Sequence, residues 1–323
     1  MSTPVVRRSR ALLLALGGNA IIPEKGEATA LAQWRVAELS MAQVADLVQG
    51  GLQLVLTHGN GPVVGNILLR NELTRDLLPP MTLDICGADS QGGIGYMLQQ
   101  SLHNALRRRG LPQHVATVIT QVVVDADDPA FAHPTKPIGP FFTKTQAEQM
   151  RTQNGWHITN DANRGYRRVV PSPAPRLIVE APLIRALVDA GAVVIAGGGG
   201  GIPVVRTPEG DLRGVEAVID KDHTAASLAL LLGIPTLALI TSVERVAVDF
   251  GTPKQRNLEC VTLSEMRRYH ADGHFPAGSM GPKMEAAIAF LEGGGERVLI
   301  TTPEKILAAM DGRAGTQIVH DAA

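Results

Sequence analysis

Three separate stretches of this chain run from a short apolar segment straight into a cluster of glycines. They are residues 11–21 (ALLLALGGNAI), 52–65 (LQLVLTHGNGPVVG) and 192–205 (AVVIAGGGGGIPVV). Each apolar run has strand length and is rich in Val, Ile and Leu. Each glycine cluster lets the backbone turn sharply and approach another group closely. A single loop of this kind needs no ligand, since a tight strand-to-helix turn explains it. Three in one chain predict several strand ends gathered around one anion, with main-chain N–H groups turned toward it.

The rest of the pattern agrees. Apolar runs at residues 12–16, 52–57, 114–124, 193–196, 236–241 and 297–301 read as strands. Between them, residues 30–49, 92–109, 177–190, 221–232, 264–271, 282–292 and 303–310 read as helices. Gly50, Gly110, Gly191 and Gly233 stand where C-terminal caps belong. Strand–helix alternation of this kind predicts an α/β fold, with a mostly parallel sheet covered by helices on both faces. Residues 225–240 are strongly apolar, but Gly233 and Pro235 make them helix, turn and strand rather than a membrane span. Arg7, Arg8 and Arg10 precede ALLLAL in the manner of a signal peptide. That apolar run is only six residues long, against about 7–15 for such a leader. A first core strand behind a short tail at residues 1–10 is therefore expected. At 323 residues the chain is long enough for one large α/β domain or two smaller ones.

One region breaks the rhythm. Residues 125–175 are polar and proline-rich, and too long for an ordinary loop. They are expected to form an inserted subdomain at the sheet edge, placed as a lid over the site.

A net charge of −1 gives no basic patch for nucleic acid or an anionic membrane surface. Cys86 and Cys260 are the only cysteines and lie far apart, so no disulfide framework or zinc spacing is expected, and a cytoplasmic protein is the simple reading. No GxxxxGK[ST] loop occurs. Gly59, Gly61 and Gly65 fail the dinucleotide fingerprint because the third glycine comes one residue late, while Pro62 suits the first turn of a helix. The nine histidines show no metal spacing. His58 could serve as a base, but a core histidine is the plainer reading.

Lysines are the sharper clue. There are seven against 23 arginines. Lys136 (PTKPIGPF), Lys221 (AVIDKDHTAA) and Lys283 (AGSMGPKMEAA) each sit beside proline, glycine or an acid. A lysine ammonium neutralises phosphate oxygens as a point charge. Asp220, Lys221 and Asp222 open a helix, where an acid suits the dipole. Asp222 could also hold the lysines in place. Glycine loops with lysines suit phosphoryl transfer without a covalent enzyme intermediate.

The segments ALGGNAI, THGNGPVVGN, QVVVDADDPAF, PTKPIGPF, RRVVPSPAP, GGGGIPVV, GVEAVIDKD and HFPAGSMGPKMEAA, the last followed by ITT, resemble those of the carbamate kinases, a branch of the amino acid kinase family. The resemblance spans nearly everything from Ala11 onward. It implies an open αβα sandwich around a mainly parallel sheet, a protruding subdomain within residues 125–175 of a single domain, and a homodimer. It implies reversible phosphoryl transfer between carbamoyl phosphate and ADP, giving carbamate and ATP, with Mg²⁺. Carried over by position, Gly17, Gly18 and Asn19 would cradle the phosphoryl group, and Gly59, Asn60 and Gly61 the carbamate side. Lys136 would reach in from the subdomain. Lys221 and Lys283 would meet the nucleotide phosphates, with Asp222 orienting them. Residues 197–201, Gly198 and Gly199 among them, would border the nucleotide with Thr241, Ser242, Val243, Met280 and Gly281. Carbamate is already an anion, so the absence of an evident base fits this chemistry. Val63, Asp89 and Ser242 depart from the branch's usual residues. They keep open a related kinase acting on another carboxylate or carbamate-like substrate, beside a non-catalytic nucleotide or anion sensor.

Overall fold

The computed structural model describes residues 10–18, 21, 29–160, 165–276 and 280–321. Along the chain, strand β1 (Ala11–Leu16) leads to helix α1 (Ala30–Gln49), strand β2 (Gln53–His58) and helices α2 (Gly61–Leu73) and α3 (Leu83–Arg108). Short strands β3 (Val115–Thr117) and β4 (Gln121–Val123) follow. Next come β5 (Lys136–Phe142), α4 (Lys144–Asn154), β6 (Ile158–Asn160) and β7 (Tyr166–Val170). The middle of the chain holds β8 (Leu177–Ile178), α5 (Ala181–Asp189), β9 (Val193–Ile195), β10 (Ile202–Arg206), β11 (Leu212–Gly214), α6 (Lys221–Leu232) and β12 (Thr236–Ile240). A small ribbon of β13 (Ala247–Val248) and β14 (Arg256–Asn257) precedes β15 (Cys260–Thr262) and α7 (Leu263–Ala271). The chain closes through α8 (Met280–Glu292), β16 (Arg297–Thr301), α9 (Ile306–Met310) and β17 (Thr316–Val319).

The large sheet has the order β15-β17-β16-β12-β1-β2-β9-β3. Its pairings are parallel except β16 with β17. A parallel strand inside such a sheet is buried on both faces and so reads as an unbroken apolar run. All six residues of β1 are buried accordingly. Leu12, Leu14 and Leu16 pack with Met41, Leu47, Ile94 and Leu98 of α1 and α3, whereas Leu13 and Ala15 face Ile184, Leu228, Met284 and Phe290 of α5, α6 and α8. The two layers of helices around one sheet are the expected α/β architecture. Residues 225–240 form the end of α6, a turn at Gly233 (φ 64°) and β12, as anticipated. Among the described residues, no helix is long and apolar enough to cross a membrane.

Several elements differ from the sequence expectation. The single strand expected at 114–124 splits: β3 joins the large sheet, and β4 joins a second sheet of order β11-β10-β4-β8. At the crossing, Gln91 takes the place of a strand partner. Its Oε1 accepts from the Thr120 N–H (2.8 Å), and its Nε2 donates to the Thr120 carbonyl (3.1 Å). Helix α3 begins at Leu83 rather than at residue 92, because glycines at 87, 92, 93 and 95 weaken the helical signal. Gly95 has a packing reason, since a Cβ there would lie 2.3 Å from the Thr117 methyl. Helix α5 starts at Ala181 rather than 177, the preceding Leu177–Ile178 being a strand. Helix α2, whose extent had no separate sequence signal, starts at Gly61 with Pro62 in its first turn, where the proline suits a helix start.

Within 125–175 the chain builds a separate antiparallel sheet of order β5-β7-β6. Helix α4 covers it, starting at a capping box in which Thr143 and Gln146 exchange hydrogen bonds with each other's backbone. Phe142, Ala147 and Ile158 form its small core. The Arg168 guanidinium lies 4.5 Å over the Trp156 ring. Ile138 of β5 and Val170 of β7 pack with Val64 and Leu68 of α2, which ties this segment to the sandwich.

Candidate active site

Parallel strands end where α/β proteins bind their ligands, in the crevice beyond the carboxyl edge of the sheet. Here β1 ends in Gly17 and Gly18, β2 in Gly59, Asn60 and Gly61, and β12 in Thr241 and Ser242. All of these line one cavity of about 360 Å³. Gly17 must be small, because a Cβ would stand 2.8 Å from the Ile240 carbonyl oxygen. Gly59 lies against the Lys221 stem, 3.3 Å from its Cδ at the Cβ position. Asn60 is the N-cap of α2 and donates from Nδ2 to Ser90 Oγ (2.9 Å). Helix α6 also begins at the cavity, so two helix N-termini bring unpaired N–H groups and partial positive charge to it.

The charged residues assemble as a set. Lys136, Arg167, Lys221 and Lys283 line the cavity, with Asp220 and Asp222 as the only carboxylates among its described lining residues. Lys221 is the first residue of α6, and its ammonium pairs with Asp222 Oδ1. Lys283, on the first turn of α8, donates to Asp222 Oδ2 at 2.8 Å. Asp222 is thus shared by two ammonium groups and keeps only 5% of its side chain exposed. Asp220 caps α6 by accepting from the Asp222 N–H (2.8 Å) and pairs through its other oxygen with Lys136, the first residue of β5. The inserted segment therefore reaches the sandwich through an ion pair at the same helix turn.

Burial and neighbouring charge oppose one another across this cluster, and burial prevails only at Lys221. There burial pushes the group down to about 8, with Asp222 offsetting part of the effect and Lys283 adding to it. Lys283 suffers the same burial, but the Asp222 charge outweighs it and raises the group. Burial works against the Asp222 carboxylate, yet Lys221 and Lys283 hold it well below the usual range. Asp220 is likewise lowered, burial being overcome by Lys136. The shared acid leaves the buried trio with one ammonium in excess, ready to be neutralised by an incoming anion.

Other expected site residues fall elsewhere. In the third glycine cluster only Gly199 lines the cavity. Its neighbours serve close packing: a Cβ at Gly198 would lie 2.4 Å from His58 Nε2, and one at Gly200 2.2 Å from the Ile219 carbonyl oxygen. Gly198 accepts from Gln91 Nε2 (3.0 Å) behind the cavity. Val243 borders a separate depression with Phe250 and Asn257. Met280 and Gly281 precede Lys283 on α8 without lining the cavity, and Gly281 packs against Pro276. Asn19 lies outside the described residues. His58 is a buried packing residue: burial brings it down to about 4, the Gly59 carbonyl opposes this, and Lys221 reinforces it. The neutral ring donates from Nδ1 to that carbonyl (3.1 Å). Of the three departures only Ser242 meets the cavity; Val63 packs on the core and Asp89 is exposed.

Sequence reading missed Asp220 as the partner of Lys136, since its capping role already accounted for it. It also missed Arg167, one of many arginines. Arg167 donates from Nε to the Gly139 carbonyl (3.1 Å) and from Nη2 to that of Pro137 (3.4 Å).

Residues 10–302 match the model of the amino acid kinase family. The chain is 45% identical to the carbamate kinase of Pyrococcus horikoshii over 95% of this chain and 98% of that protein. It is 49% identical to the carbamate kinase-like protein YahI of Escherichia coli at the same coverage. Carbamate kinase from Giardia lamblia bound to AMP-PNP superposes with a TM-score of 0.89 at 40% identity, covering 97% of this chain and 99% of that one.

Proposed function

The chain belongs to the amino acid kinase family, and from that membership and the cavity we propose that it is a carbamate kinase. It moves a phosphoryl group reversibly between carbamoyl phosphate and ADP, giving carbamate and ATP. The observation that carries this reading is the lysine set: Lys221 and Lys283 shared by Asp222, with Lys136 delivered to the same cavity by the inserted segment.

Two anions must meet for this reaction. The protein's task is to hold them together and screen their repulsion. Lys221 and Lys283 neutralise the nucleotide phosphates and the phosphoryl group in transit, and Asp222 fixes their orientation. Gly17 and Gly18 approach the phosphoryl group with bare backbone, and Gly59, Asn60 and Gly61 at the start of α2 hold the carbamate end. Lys136 meets the carbamoyl phosphate from the inserted segment. The carbamate oxygen attacks or leaves as an anion and needs no proton transfer. No histidine or cysteine is among the described lining residues, which supports a direct transfer without a covalent enzyme intermediate.

Mg²⁺ fits this cavity as an ion carried by the nucleotide, because Asp220 and Asp222 are both committed to lysines. Bound there, it would neutralise phosphate charge beside the lysines. Incubating the purified protein with ADP, carbamoyl phosphate and Mg²⁺ and measuring ATP by luminescence tests the proposal. ATP formation is expected. Nucleotide binding with no turnover would overturn it in favour of a sensor.

A further inference from the structure

Helix α2 and strand β5 touch at a point of no side-chain thickness. A Cβ at Gly65 would stand 1.9 Å from the Gly139 Cα and 2.2 Å from its nitrogen. The reverse view differs. A Cβ at Gly139 would meet the Gly65 Cα at 3.5 Å, an ordinary contact, although φ there is +75°. Gly139 lies where the ladder between β5 and β7 shifts register, between Ile138 and Phe142. Arg167 grips this irregularity through the carbonyls of Gly139 and Pro137. Both sides of the contact lead into the cavity within a few residues. Helix α2 starts at Gly61, in the second glycine loop, and β5 starts at Lys136.

We propose that Gly65 is a positioning residue for Lys136: its missing side chain sets the height of β5 above α2 and so holds the Lys136 ammonium at its reach over the cavity and Asp220. The role assigned to Lys136 in turnover rests on the proposed carbamate kinase reaction; its placement does not.

The contact makes a definite demand. For a methyl group at Gly65 to reach ordinary contact, β5 and α2 must separate by about 1.5–2 Å. A misplacement of about 1 Å can cost about a hundredfold in rate. Gly65→Ala should therefore lower kcat with carbamoyl phosphate about a hundredfold. Its Kd for ADP, measured by calorimetry, should stay within about twofold, because Lys221 and Lys283 sit on α6 and α8. In a Lys136→Ala background the same change should cost less than about threefold, since the residue it places is gone. Gly139→Asn should keep most of the activity, as Asn tolerates a positive φ and its Cβ fits.

A readout independent of substrate completes the test. Acetic anhydride labelling of Lys136, read by peptide mass spectrometry, should run at least about threefold faster in Gly65→Ala, as the Asp220 pair is pulled apart, with exposed Lys254 as the unchanged reference. Unchanged labelling, or losses that add fully to those of Lys136→Ala, would overturn the proposal. If Gly65→Ala does not fold, Leu68→Phe, about one turn further along α2 in the same apolar seam with β5, thickens the contact at ordinary backbone angles and enters the same cycle and labelling. A wild type that makes no ATP from carbamoyl phosphate overturns the reading of function, and labelling alone then decides the placement of Lys136.

Discussion

Asp222→Asn isolates what the shared carboxylate does. The substitution keeps the size of the side chain and removes its charge. Lys221 and Lys283 would then be two buried ammonium groups, 14% and 11% exposed, with no counter-ion of their own. Removing one partner of a buried pair costs about 3–5 kcal/mol, mostly from the charge left behind. Unfolding entropy is about 2.1 cal/mol/K per residue, which for 323 residues gives about 0.7 kcal/mol/K. The melting temperature should therefore fall by about 4–7 °C near neutral pH. The sign of the pH dependence follows from the lysines. Without Asp222 both native ammonium groups lose protons at lower pH than in the wild type, while the unfolded chains titrate alike. The variant's native state then binds fewer protons between about pH 7 and 10, so its deficit shrinks as pH rises. Scanning fluorimetry of both proteins at about pH 7 and about pH 9.5 measures this. A melting temperature within about 1 °C of wild type at neutral pH, or a gap that widens with pH, would refute the shared counter-ion.

Two further outcomes are expected. Lys221→Met should cut turnover by about a hundredfold or more, as loss of a charge-stabilising donor does, without lowering the melting temperature. The charged form of Lys221 is disfavoured by about 3 kcal/mol, and Asp222 retains Lys283, so a clear loss of stability or near wild-type kcat would contradict this role. Because Lys221 titrates near 8 and acts when protonated, kcat/KM in the direction of ATP synthesis should fall as pH rises through about 8. A profile flat to about pH 10 would show that a different lysine governs the rate.

The sandwich was legible because its strands are buried on both faces, and so appear as apolar runs that glycine or helix signals interrupt. Helices α1 and α6 fall on residues 30–49 and 221–232 for the same reason: Thr29 and Asp220 cap their starts, and glycine follows each end. Helix α3 was half hidden because close packing at Gly95 demanded a poor helix former. The split at Thr120 was invisible because one glutamine satisfies the crossing backbone from another element, a contact with no local signature. Lys136, Lys221, Asp222 and Lys283 stood out by their setting, and they do converge. The third glycine cluster carried a mixed signal. Most of its glycines answer to His58, Ile219 and Val122, whose positions only the folded chain reveals. Asp220 shows the opposite limit, since a residue already explained as a cap hid a second partner.

The order in which the chain is made bears on the first turn of α6. Its two carboxylates are satisfied by residues 84 positions upstream and 61 positions downstream. As synthesis proceeds, Lys136 and Lys221 are present when Asp220 and Asp222 emerge, and each acid can find one base. The cluster is then neutral. Lys283, on α8, then adds a second ammonium to Asp222 and gives this lysine–aspartate set its surplus positive charge. A nascent chain can thus hold five adjacent strands of the sheet, β12-β1-β2-β9-β3, while each acid of this turn has a single lysine partner, and the surplus ammonium is supplied from a part of the chain made later.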